Sequence, residues 1–300
     1  MNRYLSFSSY FKREFNLKLY KLSLSSGLNC PNRIFNRPCL FCSEKGAGEF
    51  SQDYELGIKK QIENAKLKMP KRIKADKYIA YFQSFTNTYG DIDYLRKIFY
   101  EAISEPDIFG LAIATRADCL SVEVLNLLEE LNEKTFLWLE IGMQSINENT
   151  VSLINRGYSH KTLHKMLLEL KKRNIRFLLH LIAGLITEQK TDLLKSVQYV
   201  NEIKAWGVKF HSLYIQTDSE LYNYYLDNPF SILTKDQYID YITDAIGILN
   251  PEIVIHRLTG DAYKPKLYLP KWSADKLSVI SSINRELKNK NIVQGSLNNF

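Results

Sequence analysis

Leu17-Lys-Leu-Tyr-Lys-Leu-Ser-Leu24 leads, after five residues, into Cys30-Pro-Asn-Arg-Ile-Phe-Asn-Arg-Pro-Cys39-Leu-Phe-Cys42. The first segment alternates apolar and polar residues and predicts a β-strand. The second holds three of the chain's four cysteines. Cys39 and Cys42 are spaced so that both thiolates can reach one metal centre, and Cys30 joins them through a loop with two prolines and two arginines. Three thiolates do not close a structural zinc site. They are also one short of the set that closes an ordinary iron–sulfur cluster. In such a cluster one iron stays open to a substrate or cofactor.

Outward from this loop the chain repeats a strand, a polar loop and a helix. Strands are expected at 78–82, 109–114, 135–141, 175–182 and 208–215. Helices are expected near 91–104, 121–132, 148–155, 159–173, 188–205, 219–226 and 235–249. Counting Leu17–Leu24, six strands alternate with helices, which argues for a parallel sheet with helical crossovers. The strands are nearly continuous apolar runs, as strands buried on both faces should be. Polar residues cluster just after each strand, the catalytic face of barrel folds. Tyr4, Phe7, Phe11 and Phe15 predict an opening amphipathic helix, and Ser51 or Asp53 is placed to cap a helix carrying Ile58, Ile62 and Ala65. Residues 252–261 add a short strand and polar loop, and a last helix is expected near 273–289. The expected division is a helical extension over 1–16, a barrel over 17–250 and a basic extension over 251–300 packed on the barrel.

The length of 300 residues suits one α/β barrel. No apolar run is long enough for a transmembrane helix, and the first ten residues lack a signal-peptide pattern, so no membrane association is expected. Three clustered cysteines and a lone Cys119 do not form a disulfide framework, which places the protein in the cytoplasm. The net charge is +7. Basic residues gather at Lys66, Lys68, Lys71, Arg72, Lys74 and Lys77, and again at Lys264, Lys266, Lys271, Lys276, Arg285, Lys288 and Lys290. Such patches suit a nucleic-acid partner, or else a solvated lysine-rich face.

A first-strand loop of the form Cys-x(n)-Cys-x-aromatic-Cys followed by β-α units resembles the radical S-adenosylmethionine (radical SAM) superfamily, with Phe41 at the aromatic position. More narrowly, the chain resembles the YhcC/YtqA-like family, whose Gram-positive members are called MnmL. The matching stretches are Gly27–Arg33, Cys39–Gly46, Tyr78–Thr88, Thr115–Leu120, Leu153–Gly157 and Ile253–Asp261. The resemblance implies an α/β fold, a partial (β/α)6 TIM-like barrel of the radical SAM type. It implies a 4Fe–4S cluster on Cys30, Cys39 and Cys42, with S-adenosylmethionine chelating the open iron and yielding a 5′-deoxyadenosyl radical. In the MnmL group the implied substrate is the tRNA wobble uridine, converted from 5-carboxymethylaminomethyluridine to 5-aminomethyluridine. A reductase or flavodoxin/ferredoxin electron donor and a downstream tRNA methyltransferase are implied partners. Two alternatives stand beside this reading: a radical SAM enzyme with another substrate, and a non-catalytic, metal-stapled RNA-binding protein. The loop between Cys30 and Cys39 is shorter than the family's usual one, and Gly184–Glu188 and Gln216–Ser219 also depart from the family pattern.

Candidate residues follow from position. Gln83, Ser84, Thr86 and Asn87 stand where the superfamily binds the methionine ammonium or carboxylate. Glu140, with Gln144 and Ser145 after it, is a candidate for the ribose or ammonium, or for a structural pair with Arg116. Leu181 and Gly184 resemble the adenine-packing region. His180, His211 and Cys119 are the catalytic candidates; buried histidines and an inert thiol are the plainer readings. Lys66, Lys68, Lys71, Arg72, Lys74, His256 and Arg257 are the candidate nucleic-acid contacts.

Overall fold

The computed structural model describes residues 2–44, 46, 52–70 and 73–298. Helix α1 (Phe7–Phe15) precedes strand β1 (Leu19–Leu24). A single turn, α2 (Pro31–Ile34), lies inside the cysteine loop, and α3 (Gly57–Leu67) follows. The repeat then runs β2 (Lys77–Phe82), α4 (Ile92–Ser104), β3 (Ile108–Thr115), α5 (Val122–Lys134), β4 (Phe136–Gln144), α6 (Glu148–Leu153), α7 (His160–Lys172), β5 (Arg176–Ala183), α8 (Lys190–Glu202) and β6 (Gly207–Ser212). After it come β7 (Ile215–Gln216), α9 (Glu220–Asp227), α10 (Lys235–Ile248), β8 (Val254–Arg257), β9 (Leu267–Leu269) and α11 (Lys276–Asn289).

Seven strands form one parallel sheet in the order β1-β2-β3-β4-β5-β6-β8. The partial barrel therefore gains a strand from the segment expected as a C-terminal extension: β8 pairs with β6 and continues the sheet past residue 250. Four residues are too few for a periodicity signal, so only the pairing shows that role. Helices pack their leucine stripes on the outer face. Their starts are written locally: Asp91, Ser121 and Ser159 accept hydrogen bonds from backbone N–H groups of α4, α5 and α7, and Thr234 and Gln237 form a capping box on α10. Asp53 caps a 3-10 turn leading into α3, while Ser51 lies outside the described residues. Among the described residues no helix is long and apolar enough to cross a membrane.

The concave face has an apolar floor. Helix α1 places Phe11 against Ile79, Ala112, Trp138 and Leu178, with Phe7, Phe109, Phe136 and Trp206 around it. The chain before α1 is tied to the last strand, because Ile255 N–H donates to the Leu5 carbonyl at 2.8 Å. The opening helix thus plugs the strands' lower end and leaves their C-terminal ends for chemistry.

Candidate active site

The cysteine loop is fastened to a distant turn. Asn32 Nδ2 donates to the Asn155 carbonyl at 2.8 Å and lies 3.5 Å from the Cys39 sulfur. Leu40 N–H donates to the Ile154 carbonyl at 3.0 Å, and Asn155 Nδ2 donates to the Pro38 carbonyl at 3.0 Å. The turn is held in its own right by Arg156, a buried guanidinium that donates to the Met143 carbonyl at 2.8 Å and to the Tyr158 carbonyl at 2.7 Å. Gly157 has a φ of +90°, and a Cβ there would fall 2.5 Å from Asn32 Oδ1. That is why the turn ends in glycine. On the other side, Arg116 is gripped by Asp118 through two hydrogen bonds of 2.9 and 2.8 Å and points Nη1 at the Cys30 sulfur, 3.8 Å away. Arg116 therefore pairs with Asp118 and not with Glu140.

The Cys39 and Cys42 thiols are hydrogen-bonded to each other. This contact holds Cys39 below the ordinary thiol range and, together with burial, holds Cys42 well above it. Among the described residues no three His, Cys, Asp or Glu side chains converge to hold a single metal ion. Ligands to different irons of one cluster need not converge. Three thiols in one loop, one of them beside a guanidinium, fit a cluster with one iron left for another ligand.

A cleft of about 160 Å³ lies at the strand ends beside Cys42. Its walls carry Phe41, Gln83, Gln144, His180, His211 and Arg257. The cleft thus gathers the predicted residues from the loop, β2, β4, β5, β6 and β8. The rings of His180 and His211 stack with centroids 5.1 Å apart. Burial pushes His180 down to about 4; burial, with the neighbouring His180, pushes His211 well below its ordinary value. Both imidazoles are therefore neutral near pH 7.

Beneath the cleft lies a charged tier centred on Glu140. The buried Glu140 carboxylate accepts from Tyr81 Oη at 2.6 Å, Lys21 Nζ at 3.1 Å, Trp138 Nε1 at 3.2 Å and Lys209 Nζ, and it contacts His180 Nε2 at 3.2 Å. These partners use up its lone pairs. Glu140 is therefore a buried counter-charge and not a ribose or ammonium ligand. Burial pushes its carboxyl up, but Lys209 and Lys21 prevail and hold it well below the usual carboxylate range. Burial pushes the Lys209 ammonium well down against the pull of Glu140, helped by Lys21 and Arg257.

Several other candidates lie outside the cleft. Asn87 spends its amide on the Phe82, Ser84 and Ala114 carbonyls and accepts from Ser26 Oγ at 2.6 Å, so it ties strand ends together. Ser84 and Thr86 are buried in the same turn. Ser145 Oγ accepts from Asn147 N–H at 3.0 Å, turned toward α6. Leu181 faces the outer helices, because alternation along β5 sends Ile182, and not Leu181, to the cleft. Gly184, with φ +82°, meets Leu233. Cys119 lines a separate groove with Thr88 and Asp118, and burial raises its thiol to about 12. His256 is wedged between Phe7, Trp138 and Trp206 with Nδ1 3.2 Å from Lys21 Nζ, where no phosphate reaches it. Lys66, Lys68 and Lys74 belong to the end of α3 and its link to β2, at the opposite end of the strands from the cleft. Lys66 donates to the Pro106 carbonyl there. Lys71 and Arg72 lie outside the described residues.

Comparison with known proteins agrees with this geometry. Residues 24–200 match the model of the Radical SAM superfamily, and residues 205–289 match the Radical_SAM C-terminal domain. The chain is 34% identical over 296 residues to the protein YtqA of Bacillus subtilis, covering 98% of this chain and 92% of that one. It is 30% identical over 288 residues to YhcC of Escherichia coli K12, covering 95% and 92%. Among solved structures it is similar to the Elp3 of Methanocaldococcus infernus lacking residues 1–46, with a TM-score of 0.68 and 18% identity over 92% of this chain and 64% of that one. Methylornithine synthase (PylB) gives a TM-score of 0.53 and 13% identity over 96% and 86%. The chain belongs to the radical SAM superfamily, whose enzymes use a 4Fe–4S cluster and S-adenosylmethionine.

Proposed function

We propose that this radical SAM enzyme acts on the wobble uridine of tRNA, removing the carboxymethyl group from 5-carboxymethylaminomethyluridine to leave 5-aminomethyluridine. With cluster and S-adenosylmethionine bound, the site supplies a 5′-deoxyadenosyl radical that takes a hydrogen atom from the substrate. The protein's part is to hold both cofactors and bring one base to them. The observation that carries the reading is the lining of that cleft. Gln83 and Gln144 bring amides, and His180 and His211 bring imidazoles, to the space beside Cys42. Such groups suit the polar edge of a pyrimidine, and a single-stranded loop base can be turned into such a pocket. Exposed Lys264 follows Tyr263 in the loop after β8, at the strands' C-terminal end, where loop phosphates would pass.

Nucleoside mass spectrometry of tRNA from a deletion strain tests the reading. 5-Carboxymethylaminomethyluridine should accumulate and the aminomethyl product should disappear. Unchanged wobble nucleosides would remove tRNA as the substrate while leaving the radical SAM assignment intact.

A further inference from the structure

We infer that Arg257 receives a carboxylate of the substrate, and that Asp261 and Lys276 position it. On the wobble-uridine reading, which this step presupposes, that carboxylate ends the carboxymethyl group to be removed.

Arg257 stands at the end of β8 and lines the cleft, its side chain 20% exposed. Asp261 meets one edge of its guanidinium at 3.0 Å. The same Asp261 carboxylate takes the Lys276 ammonium at 2.7 and 2.9 Å. Burial pushes the Asp261 carboxyl up, but Arg257 and Lys276 outweigh it and keep it ionised. One carboxylate is therefore shared by two cations, and a positive charge remains at the wall. A guanidinium offers a planar fork of N–H donors that matches a carboxylate.

Two neighbouring atoms point the same way. His211 Nε2 and Ser212 Oγ are buried and have no hydrogen-bond partner among the described residues, and both residues line the cleft. Buried polar atoms are normally paired, so a polar ligand is the natural complement here. Gly260 keeps this wall thin: a Cβ would fall 2.7 Å from the Tyr214 ring and 3.4 Å from Ser212 Oγ. A carboxylate against Arg257 can accept from the guanidinium and from the Ser212 hydroxyl. The product lacks that carboxylate and ends in an ammonium group, which Arg257 repels, so the wall that holds the substrate also releases the product.

S-adenosylmethionine carries a carboxylate too, and the test separates the two sources. Holoenzyme is reconstituted without oxygen as wild type, Arg257→Gln and Arg257→Lys. With tRNA bearing 5-carboxymethylaminomethyluridine, Arg257→Gln should raise KM by about 10- to 100-fold, the span for losing a hydrogen bond to a charged group. Arg257→Lys, which keeps the charge without the fork, should fall between. The affinity for S-adenosylmethionine, read by equilibrium binding, should stay within about twofold of wild type, below the tenfold that one such bond represents. An unchanged KM overturns the assignment, and a parallel loss of S-adenosylmethionine affinity gives the carboxylate site to the cofactor instead. Failure of the tRNA reading looks different: wild type leaves that tRNA unconverted. N-methylglycine, the free counterpart of the side chain's end, is then titrated against wild type and Arg257→Gln. Binding to wild type alone sustains the carboxylate site, and binding to neither removes it.

Discussion

Replacing Glu140 by Gln should cost the fold about 3–5 kcal/mol, the range for removing one partner of a buried ion pair. The Glu140 side chain has no solvent exposure and that of Lys209 has 3%. Glutamine keeps the shape but has one acceptor oxygen, so it can still accept from Tyr81 or from Trp138 and not from both, which donate to different carboxylate oxygens. It cannot balance Lys21 and Lys209, which share this single carboxylate. The loss is a large fraction of an ordinary domain's stability, which is about 5–15 kcal/mol. With a urea m-value of about 3 kcal/mol/M, the midpoint should fall by about 1–1.7 M. Urea unfolding of the apo chain at neutral pH reads it. Adding Lys209→Met to Glu140→Gln should restore part of the loss, since an apolar side chain then replaces an unpaired cation. The pH profile follows from the same tier. The Glu140 carboxyl is depressed in the fold, so its contribution holds above the unfolded carboxyl value and is lost only as pH falls through the lower folded one. Lys209 is depressed as well, so the unfolded chain binds its proton more tightly and stability rises with pH toward the unfolded lysine value. A midpoint change worth less than about 1 kcal/mol, or a double variant no better than the single one, would refute the buried-counter-charge account.

Three further outcomes follow. Cys39→Ala should abolish the visible cluster absorbance and S-adenosylmethionine cleavage, whereas Cys119→Ser, in its separate groove, should leave iron content and cleavage as in wild type. Gly157→Ala should lower iron retained per chain and cost about 1–3 kcal/mol, because φ is +90° and the new Cβ crowds Asn32 and Arg116. The His180 fold value of about 4 lies below that of an unfolded histidine, so the unfolded chain takes up its proton first and stability falls as pH drops from about 6.5 toward 4. His180→Asn should flatten that slope in a thermal melt series, and an unaltered slope would reject burial of this imidazole.

The fold was legible because its signal is redundant: each strand is apolar, each connection helical, and polar residues gather at the same end of every unit. The opening helix was legible from its aromatic spacing, though the residues it meets come from strands far along the chain. Which side chains enter the cleft was less legible. Ser84, Thr86 and Asn87 sit in the expected loop, yet all three are buried, and Asn87 spends its amide on carbonyls at the strand ends. Leu181 was read by analogy with a family position, and strand parity sends its neighbour Ile182 to the cleft instead. Lys209 is not legible by itself, because a lysine between Val208 and Phe210 reads as an interruption of an apolar run. A signal was nevertheless available. Lys21 and Ser23, Tyr81 and Gln83, Glu140 and Gln144, and Lys209 and His211 recur at even spacing along or just past their strands, which places each set on one face.

Anchors elsewhere in the chain explain why a short cysteine loop can work. Its path is not set by its own length. It is set by a turn more than a hundred residues away, through Asn32, Leu40 and Asn155, and by Arg116 at the end of β3. The turn is in turn fixed to the end of β4 by Arg156. Loop, turn and strand ends are therefore fastened to one another, and the thiols are referenced to the sheet that carries the cleft. Shortening the span between Cys30 and Cys39 changes the covering chain while leaving these anchors in place. The motifs Thr115–Leu120 and Leu153–Gly157, which carry no ligand themselves, acquire a physical role as the second half of the cluster loop. The reading fails if Asn155→Ala and Arg116→Gln, each distant in sequence from the cysteines, leave the iron content and the cluster's absorbance unchanged.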